Sequence, residues 1–228
     1  MRVRKIFGSI FLLISVIFLA SVALELLSGR LFNISFVRSN LILSNLLAML
    51  FFSVVFVFIV GRGKLKSYGL RISFSFPFGR VVIYSLILGF VSGLIITVAD
   101  FSIENAPWAD MSNLQMVINV WIIASITEEV LFRGLIQGYL HSERRHGFKL
   151  GKVFLSLPVI VSAILFGLLH LMLLTVGADP RMVAVVIVFA TFMGVIAGYY
   201  REKSNSLLPA ILIHACFNIG GSFMALLI

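Results

Sequence analysis

The sequence predicts an all-α fold, a polytopic transmembrane helix bundle of about seven spans. Two observations carry this prediction. Apolar residues make up 61% of the 228 residues and charged residues only 12%, at a mean hydropathy of +1.12, whereas a soluble domain has roughly twice that charged fraction. The apolar residues also fall in runs close to the ~20 residues that a spanning helix needs, at about 7–27, 41–60, 81–99, 114–140, 153–176, 182–200 and 207–228.

The first run has features of a secretory signal peptide. It follows Arg2, Arg4 and Lys5, and the tripeptide Ser21-Val22-Ala23 resembles a cleavage site. The run nevertheless stays apolar as far as Leu27, which is longer than the apolar region of a usual signal peptide, and further spans follow it. We therefore expect a retained anchor helix.

Prolines mark the starts of two later spans. Pro158 and Pro209 each follow a serine within three residues, and proline suits the first turn of a helix. A start near Pro158 rather than Lys152 also brings His170 closer in depth to His214, because each helical residue advances about 1.5 Å. We therefore expect the fifth helix to begin near Pro158.

The chain carries no long linker, low-complexity tract or internal repeat, so we predict one integral membrane domain over residues 1–228. Gly194-x-x-x-Gly198 is expected to let a neighbouring helix approach closely. The single cysteine, Cys216, excludes an internal disulfide.

The net charge of +9 comes from basic residues in the loops, without any pattern typical of nucleic-acid binding. With the N-terminus inside, 14 of the 18 Lys and Arg residues lie in inner segments and three in outer ones, and Arg133 lies within a span. Short basic loops stay on the cytoplasmic side. We expect a cytoplasmic N-terminus, an outer C-terminus and no nucleic-acid partner; the brief loops favour a prokaryotic plasma membrane.

Glu128-Glu129-Val-Leu-Phe-Arg133 places two carboxylates and a guanidinium inside a span, where ionisable residues are costly and usually functional. Glu129 and Arg133 are four residues apart, so they share a helix face in the order that favours an ion pair, which the planar guanidinium could make with two bonds. Glu128 points about 100° away. It is left without a cation of its own and is the candidate general base. A purely structural salt bridge would need only one of the acids.

Phe166-x-x-x-His170 and His214-x-x-x-Asn218 repeat the four-residue spacing on two further spans. Each pair therefore shares a helix face. Asn218 and His214 can donate hydrogen bonds to a developing oxyanion. Phe166 either packs on the His170 ring or faces lipid. A single histidine could merely bridge helices, but the combination on three helices favours hydrolysis.

The sequence motifs of several other classes of hydrolase are absent. No His-Glu-x-x-His helix and no Gly-x-Ser-x-Gly elbow occurs. Cys216 is about 200° around the helix from His214, which disfavours a Cys–His pair. Two histidines and a glutamate also suit catalytic zinc, so the residues leave both a metal-free and a zinc site open.

Three motifs in order resemble the CPBP family, which includes type II CAAX prenyl endopeptidases and the Abi proteins. They are Thr127-Glu-Glu-Val-Leu-Phe-Arg-Gly134, Leu165-Phe-Gly-Leu-Leu-His170 and Ser206-Leu-Leu-Pro-Ala-Ile-Leu-Ile-His-Ala-Cys-Phe-Asn218. The resemblance covers about residues 115–228, which we take as the catalytic core. The family's common arrangement has eight helices, one more than the runs counted in this chain.

The resemblance implies an all-α intramembrane endopeptidase that acts on a membrane-associated peptide or protein. Glu128 and His170 would activate a water, and His214 and Asn218 would form the oxyanion hole. Glu129 and Arg133 would organise the first motif. A glutamate-dependent mechanism with no cofactor is favoured. Neither the substrate's prenylation nor the oligomeric state follows from the sequence.

Two other functions compete with proteolysis. A non-catalytic relative could act as a bacteriocin-immunity or scaffold protein, although it would not need every motif intact. A proton relay or transporter could use the buried Glu and His residues. Such a relay would need polar groups on both sides of the site, whereas the flanking helices are mostly Leu, Ile, Val and Phe.

The charge distribution predicts the topology. Single cysteines at Arg71, Glu104 and Arg145, in a Cys216→Ser background, can be labelled in intact cells with an impermeant thiol reagent. We expect only the position-104 variant to react, because basic loops resist translocation. Labelling at 71 or 145 with 104 protected would invert the topology.

Overall fold

The protein is an α-helical bundle with one small β-hairpin. The computed structural model describes residues 2–73, 76–102 and 104–223. Two of the helices change their winding near an end. Leu26–Arg30 continue the first helix as a wider π turn, and His170–Val176 continue the sixth as a 3₁₀ helix. Within the described residues the longer helices are α1 (Arg2–Glu25), α2 (Ser35–Ser39), α3 (Leu41–Gly61), α4 (Phe78–Val98), α5 (Asn113–Tyr139), α6 (Leu157–Leu169), α7 (Pro180–Ser204) and α8 (Leu208–Ser222).

Among the described residues, six helical segments are long and apolar enough to cross a membrane: Arg2–Gly29, Leu41–Gly61, Phe78–Val98, Asn113–Tyr139, Leu157–Val176 and Pro180–Ser204. The predicted all-α, polytopic fold is confirmed. The seventh predicted span, 207–228, corresponds to the shorter apolar helix α8. The last part of that prediction, 224–228, lies outside the described residues.

Helix α6 begins at Leu157, as the position of Pro158 predicts. The Ser156 side chain accepts a hydrogen bond from Val159 N at 3.4 Å and so caps the helix. The apolar run from 153 is therefore not helical in its first four residues. Those residues form β2 (Val153–Ser156), which pairs antiparallel with β1 (Gly147–Leu150) across a two-residue turn. Gly151 in that turn has φ +58°, a conformation that glycine adopts without strain.

Helices α4 and α8 approach each other backbone to backbone. A Cβ atom on Gly89 would overlap Phe217 O, and one on Gly220 would overlap Leu86 O. A Cβ atom on Gly93 would lie 2.5 Å from Gly221 O. The spacing Gly89-x-x-x-Gly93 is the small-residue pattern that permits such contact in membranes. It positions α8, which carries two of the candidate site residues.

Helix α5 is the centre of the bundle. Every residue of its segment Val130–Ile136 is buried, and α1, α3, α6, α7 and α8 all contact the helix. Met116–Ala124 and Val130–Ile136 are wound as π helix on either side of Ser125–Glu129. Such segments are rare and occur frequently at functional sites. The two glutamates of the first motif therefore lie directly before the most enclosed segment of α5, with Glu129 buried and Glu128 partly exposed.

Candidate active site

Glu129 joins two helices through one carboxylate oxygen. Its Oε1 lies 2.9 Å from Arg133 Nη1 and 2.9 Å from His214 Nδ1. The Glu129 and Arg133 side chains are both fully buried. The ion pair predicted from the four-residue spacing is present, and the structure adds His214 of α8 as a second partner.

The grip of Arg133 on Glu129 differs from the two-bond geometry that we expected. A single Nη1 to Oε1 contact joins them, and Oε1 is also bonded to His214. The guanidinium instead lies over the Phe166 ring, with Arg133 Cζ 4.6 Å from the ring centroid. A planar cation gains energy in such a position, above all when desolvated.

The contact to Glu129 sets the orientation of His214. A carboxylate accepts hydrogen bonds, so Nδ1 donates to Glu129 and Nε2 points away from it. His214 Nε2 lies 3.8 Å from Glu128 Oε2. The Glu128 side chain is 17% exposed, against 0% for Glu129. The neighbouring glutamates therefore differ: one is sealed behind His214, and the other is open to an approaching molecule.

His170 lies at the point where α6 tightens into its 3₁₀ extension. Its backbone N–H bonds to Gly167 O, and its ring Nδ1 lies 3.0 Å from Phe166 O. A carbonyl can only accept, so Nδ1 carries the hydrogen and the Nε2 lone pair is left for another partner. The ring is partly buried and lies within electrostatic range of Glu128 and His214.

Phe166 is the packing centre of the site. Its buried ring makes edge-to-face contacts with Phe132, His170 and His214, at centroid distances of 5.1, 5.1 and 5.4 Å. Phe166 therefore packs on His170, one of its two predicted positions, and does not face lipid. Because both imidazoles touch this ring, the two histidines lie at similar depth.

Asn218 is already hydrogen bonded. Its Nδ2 donates to Val120 O at 2.9 Å and to the Ser125 hydroxyl at 3.2 Å. Asn218 and His214 thus both face α5, as their shared spacing predicts. In this arrangement the amide ties α8 to a carbonyl of the first π segment.

The Gly194-x-x-x-Gly198 pair on α7 makes room for polar side chains of α5. A Cβ atom on Gly194 would lie 2.7 Å from Arg133 Nη2, and one on Gly198 would lie 3.2 Å from Gln137 Oε1. Gln137 also donates to Gly198 O at 3.0 Å. The predicted close approach is confirmed, and the two glycines leave room for the buried side chains of Arg133 and Gln137.

Sequence reasoning missed three contributors to the site: Phe132, Ser125 and Gln137. The sequence contains a pattern that could have identified Ser125 and Gln137. Ser125, Glu129, Arg133 and Gln137 recur every four residues and are all buried, so they form one polar stripe along an apolar helix. Phe132 gives no such signal, since one more aromatic residue in an apolar span is unremarkable by pattern.

Arg133, His170 and His214 contact Glu129 or Phe166, and Glu128 lies 3.8 Å from His214. Asn218 bonds to Ser125, one turn before Glu129 on α5. Among residues 2–73, 76–102 and 104–223, no group of three or more His, Cys, Asp or Glu side chains is placed to hold a metal ion. Both histidine Nδ1 atoms are engaged, with Glu129 Oε1 and Phe166 O. The arrangement offers an accessible carboxylate, a free imidazole nitrogen and a second imidazole oriented by a sealed carboxylate.

Residues 110–220 match the family model of the Rce1-like type II CAAX prenyl endopeptidases. This segment is similar to that family. The match spans a little under half of the chain and contains all three motifs, so the predicted resemblance is confirmed. The family is one of CAAX-type intramembrane proteases. No curated protein and no solved structure matches the chain.

The Gly194 contact predicts energetic coupling to Arg133. We expect Gly194→Ala to destabilise the protein by about 1–3 kcal/mol, a cost typical of overpacking, because the new methyl group would collide with Arg133 Nη2. Arg133→Lys removes Nη2, so the double variant should lose less than the sum of the single losses. Thermal unfolding of the purified variants in detergent measures this coupling.

Gly198→Ala is the matched control, because its methyl group would approach Gln137 and Val159, each at 3.2 Å. Its loss should add to that of Arg133→Lys. Gly194→Ala also brings a methyl group 3.2 Å from Ala163 Cα, and that part of its cost should persist in the double variant. Fully additive losses at 194 and 133 would contradict the contact.

Proposed function

We propose that the protein is an intramembrane endopeptidase, which hydrolyses a peptide bond in a membrane-associated protein or peptide. The observation that carries the proposal is the contrast within the diglutamate: Glu129 is sealed and paired with Arg133, while Glu128 is partly exposed, with its Oε2 3.8 Å from His214 Nε2. A hydrolase needs a catalytic group that can reach water, and further groups that hold the catalytic groups in position.

In the proposed mechanism, Glu128 and His170 bind the attacking water. The carboxylate of Glu128 accepts one proton of the water, and the His170 Nε2 lone pair accepts the other hydrogen as a hydrogen bond. The His170 ring is held for this purpose by its Nδ1 bond to Phe166 O. As the proton moves to Glu128, the water oxygen bonds to the carbonyl carbon of the substrate.

His214 and Asn218 stabilise the oxyanion that develops on the substrate carbonyl. His214 Nδ1 remains bonded to Glu129, so its Nε2 is the atom that can donate to the oxyanion. Donation from Nε2 while Nδ1 is bonded to Glu129 requires a hydrogen on both ring nitrogens. Asn218 can exchange its 3.2 Å bond to Ser125 for one to the oxyanion, because a charged acceptor binds more strongly than a hydroxyl.

The tetrahedral intermediate then collapses. Glu128 returns its proton to the departing amine, and the carbon–nitrogen bond breaks. Glu129 and Arg133 take no part in bond making; they hold His214 in the required orientation, as the carboxylate orients histidine in serine hydrolases. No step of this mechanism requires a metal ion.

The family and the charge distribution support a proposal for the substrate and the location. A membrane-associated protein with a prenylated C-terminal segment is the substrate class that the family name indicates. We propose a prokaryotic plasma membrane with a cytoplasmic N-terminus, on the basis of the charge distribution between loops.

Loss of either water-binding group should abolish proteolysis. We expect Glu128→Gln and His170→Ala each to lower kcat by about 10²–10⁴-fold, the usual contribution of a general base, while the protein still inserts and folds. Cleavage of a prenylated peptide by purified protein in liposomes measures the effect. Glu104→Gln, in an exposed loop, is the matched carboxylate control and should remain active.

The same preparation separates the competing functions. An immunity or scaffold protein would give no turnover with the wild-type chain, and a proton relay would give proton-coupled uptake instead of cleavage. Near-normal cleavage by either variant would refute the roles given to Glu128 and His170.

The metal-free mechanism predicts insensitivity to chelators. Because water is activated by Glu128 and His170 alone, prolonged incubation with a strong zinc chelator such as 1,10-phenanthroline should leave the cleavage rate within about twofold of its starting value. Its non-chelating isomer, 1,7-phenanthroline, controls for effects of the aromatic compound itself. Loss of activity that added zinc restores would establish a metalloenzyme.

A further inference from the structure

The segment between α5 and α6 is confined to the border of the membrane. Residues 140–156 join Asn113–Tyr139 to Leu157–Val176, two segments that are each long and apolar enough to span. Only 17 residues separate these helix ends. The β1–β2 hairpin that they form therefore lies at one membrane surface, directly between the helices that carry Glu128 and His170.

One face of this hairpin is apolar throughout. Phe148 pairs with Leu155 and Leu150 with Val153, and because side chains alternate along a strand, all four lie on the same face. Leu155, nearest α6, is only 8% exposed, whereas Phe148 is 52% and Leu150 is 67% exposed. The apolar face is thus buried at its base and uncovered toward the turn.

The same segment is strongly basic at its surface. Arg144, Arg145, Lys149 and Lys152 are all exposed. The only acid between 140 and 156, Glu143, is buried and lies 3.2 Å from His146 and 4.0 Å from Arg2. The pKa of His141 is lowered, first by its partial burial and then by the nearby positive charge of Arg144. The exposed charge of the segment is therefore uniformly positive.

Two hydrogen bonds hold the hairpin in place, and one glycine permits its strand pairing. Leu157 N donates to His146 O at 2.6 Å, which closes the base of the hairpin. The Ser156 hydroxyl donates to Glu202 Oε2 at 2.7 Å and ties β2 to α7. A side chain at Gly147 would overlap Leu155 O, so only glycine permits this strand pairing. The exposed apolar face therefore belongs to a hairpin that is fixed by hydrogen bonds.

We propose that the β1–β2 hairpin docks on the anionic lipid surface of the membrane. Phe148 and Leu150 enter the boundary between headgroups and acyl chains, and Arg144, Arg145, Lys149 and Lys152 lie against the lipid phosphates. Basic and apolar side chains together are the combination that binds anionic interfaces. Long basic side chains reach the phosphates while their stems cover apolar surface.

A lipid surface fits this face better than a protein partner does. The two spanning helices bring the hairpin to lipid whatever else is present, and four exposed positive charges complement anionic headgroups. Each basic residue close to such a surface favours the docked state by about fivefold. Docking of the hairpin on the membrane surface does not depend on whether the protein is a protease.

The test places an environment-sensitive fluorophore on the full-length protein through Leu150→Cys in a Cys216→Ser background. Lys149→Cys is the matched control, because residue 149 lies on the opposite face of the same strand. Both labelled variants are reconstituted in nanodiscs of phosphatidylcholine, with and without phosphatidylglycerol. Acrylamide quenches a probe in water, and lipids brominated on their acyl chains quench a probe within the bilayer.

We expect the probe at 150 to be several-fold less accessible to acrylamide than the probe at 149, and to be quenched by brominated lipid. Phosphatidylglycerol should increase this difference. Combined Arg144→Gln, Arg145→Gln and Lys152→Gln substitutions should remove the effect of phosphatidylglycerol, and salt should weaken it.

Three results would overturn the proposal. Equal acrylamide access at 149 and 150 in both membranes would place the hairpin in water. Shielding at 150 without quenching by brominated lipid would mean that protein, such as a second copy of the chain, covers the face. Lipid quenching that is identical with and without phosphatidylglycerol would refute the anionic surface.

Discussion

The fully buried ion pair of Glu129 and Arg133 is the constraint around which the bundle is arranged. Charges in an apolar interior are costly unless paired, and removal of one partner typically costs about 3–5 kcal/mol. The remaining groups of the site reduce that cost: His214 shares Glu129 Oε1, the Phe166 ring lies against the guanidinium, and Gly194 leaves space for Nη2. These contacts recruit α6, α7 and α8 to α5.

The same arrangement separates structural from reactive chemistry. One glutamate pairs with Arg133 and orients His214, whereas its neighbour Glu128 makes no salt bridge to a guanidinium or ammonium group within the described part of the chain. The Phe166 ring packs against the rings of His170 and His214. This contact restricts the orientation of both Nε2 atoms. Preorganisation of this kind is what electrostatic catalysis requires.

The connection between the catalytic helices adds a link to the membrane. Helices α5 and α6 meet in a hairpin whose base is sealed by Leu155, Ser156 and Leu157, and whose tip is apolar and basic. A surface that docks on lipid there would fix the tilt of both helices relative to the bilayer. In that proposal, the helices that carry Glu128 and His170 are joined by the segment that meets the lipid surface.

The sequence by itself determined the helices, the Glu129–Arg133 pair and the start of α6 at Leu157, because hydropathy and four-residue spacing are local properties of a helix. The family followed from three motifs. Only the tertiary structure decided that His214 binds Glu129, 85 residues away, that Arg133 makes a single bond to Glu129, and that Phe166 faces inward. It also showed the hairpin at 147–156 and the contact of Gly89 with α8. These depend on how helices pack against one another, and local periodicity contains no information about which faces meet.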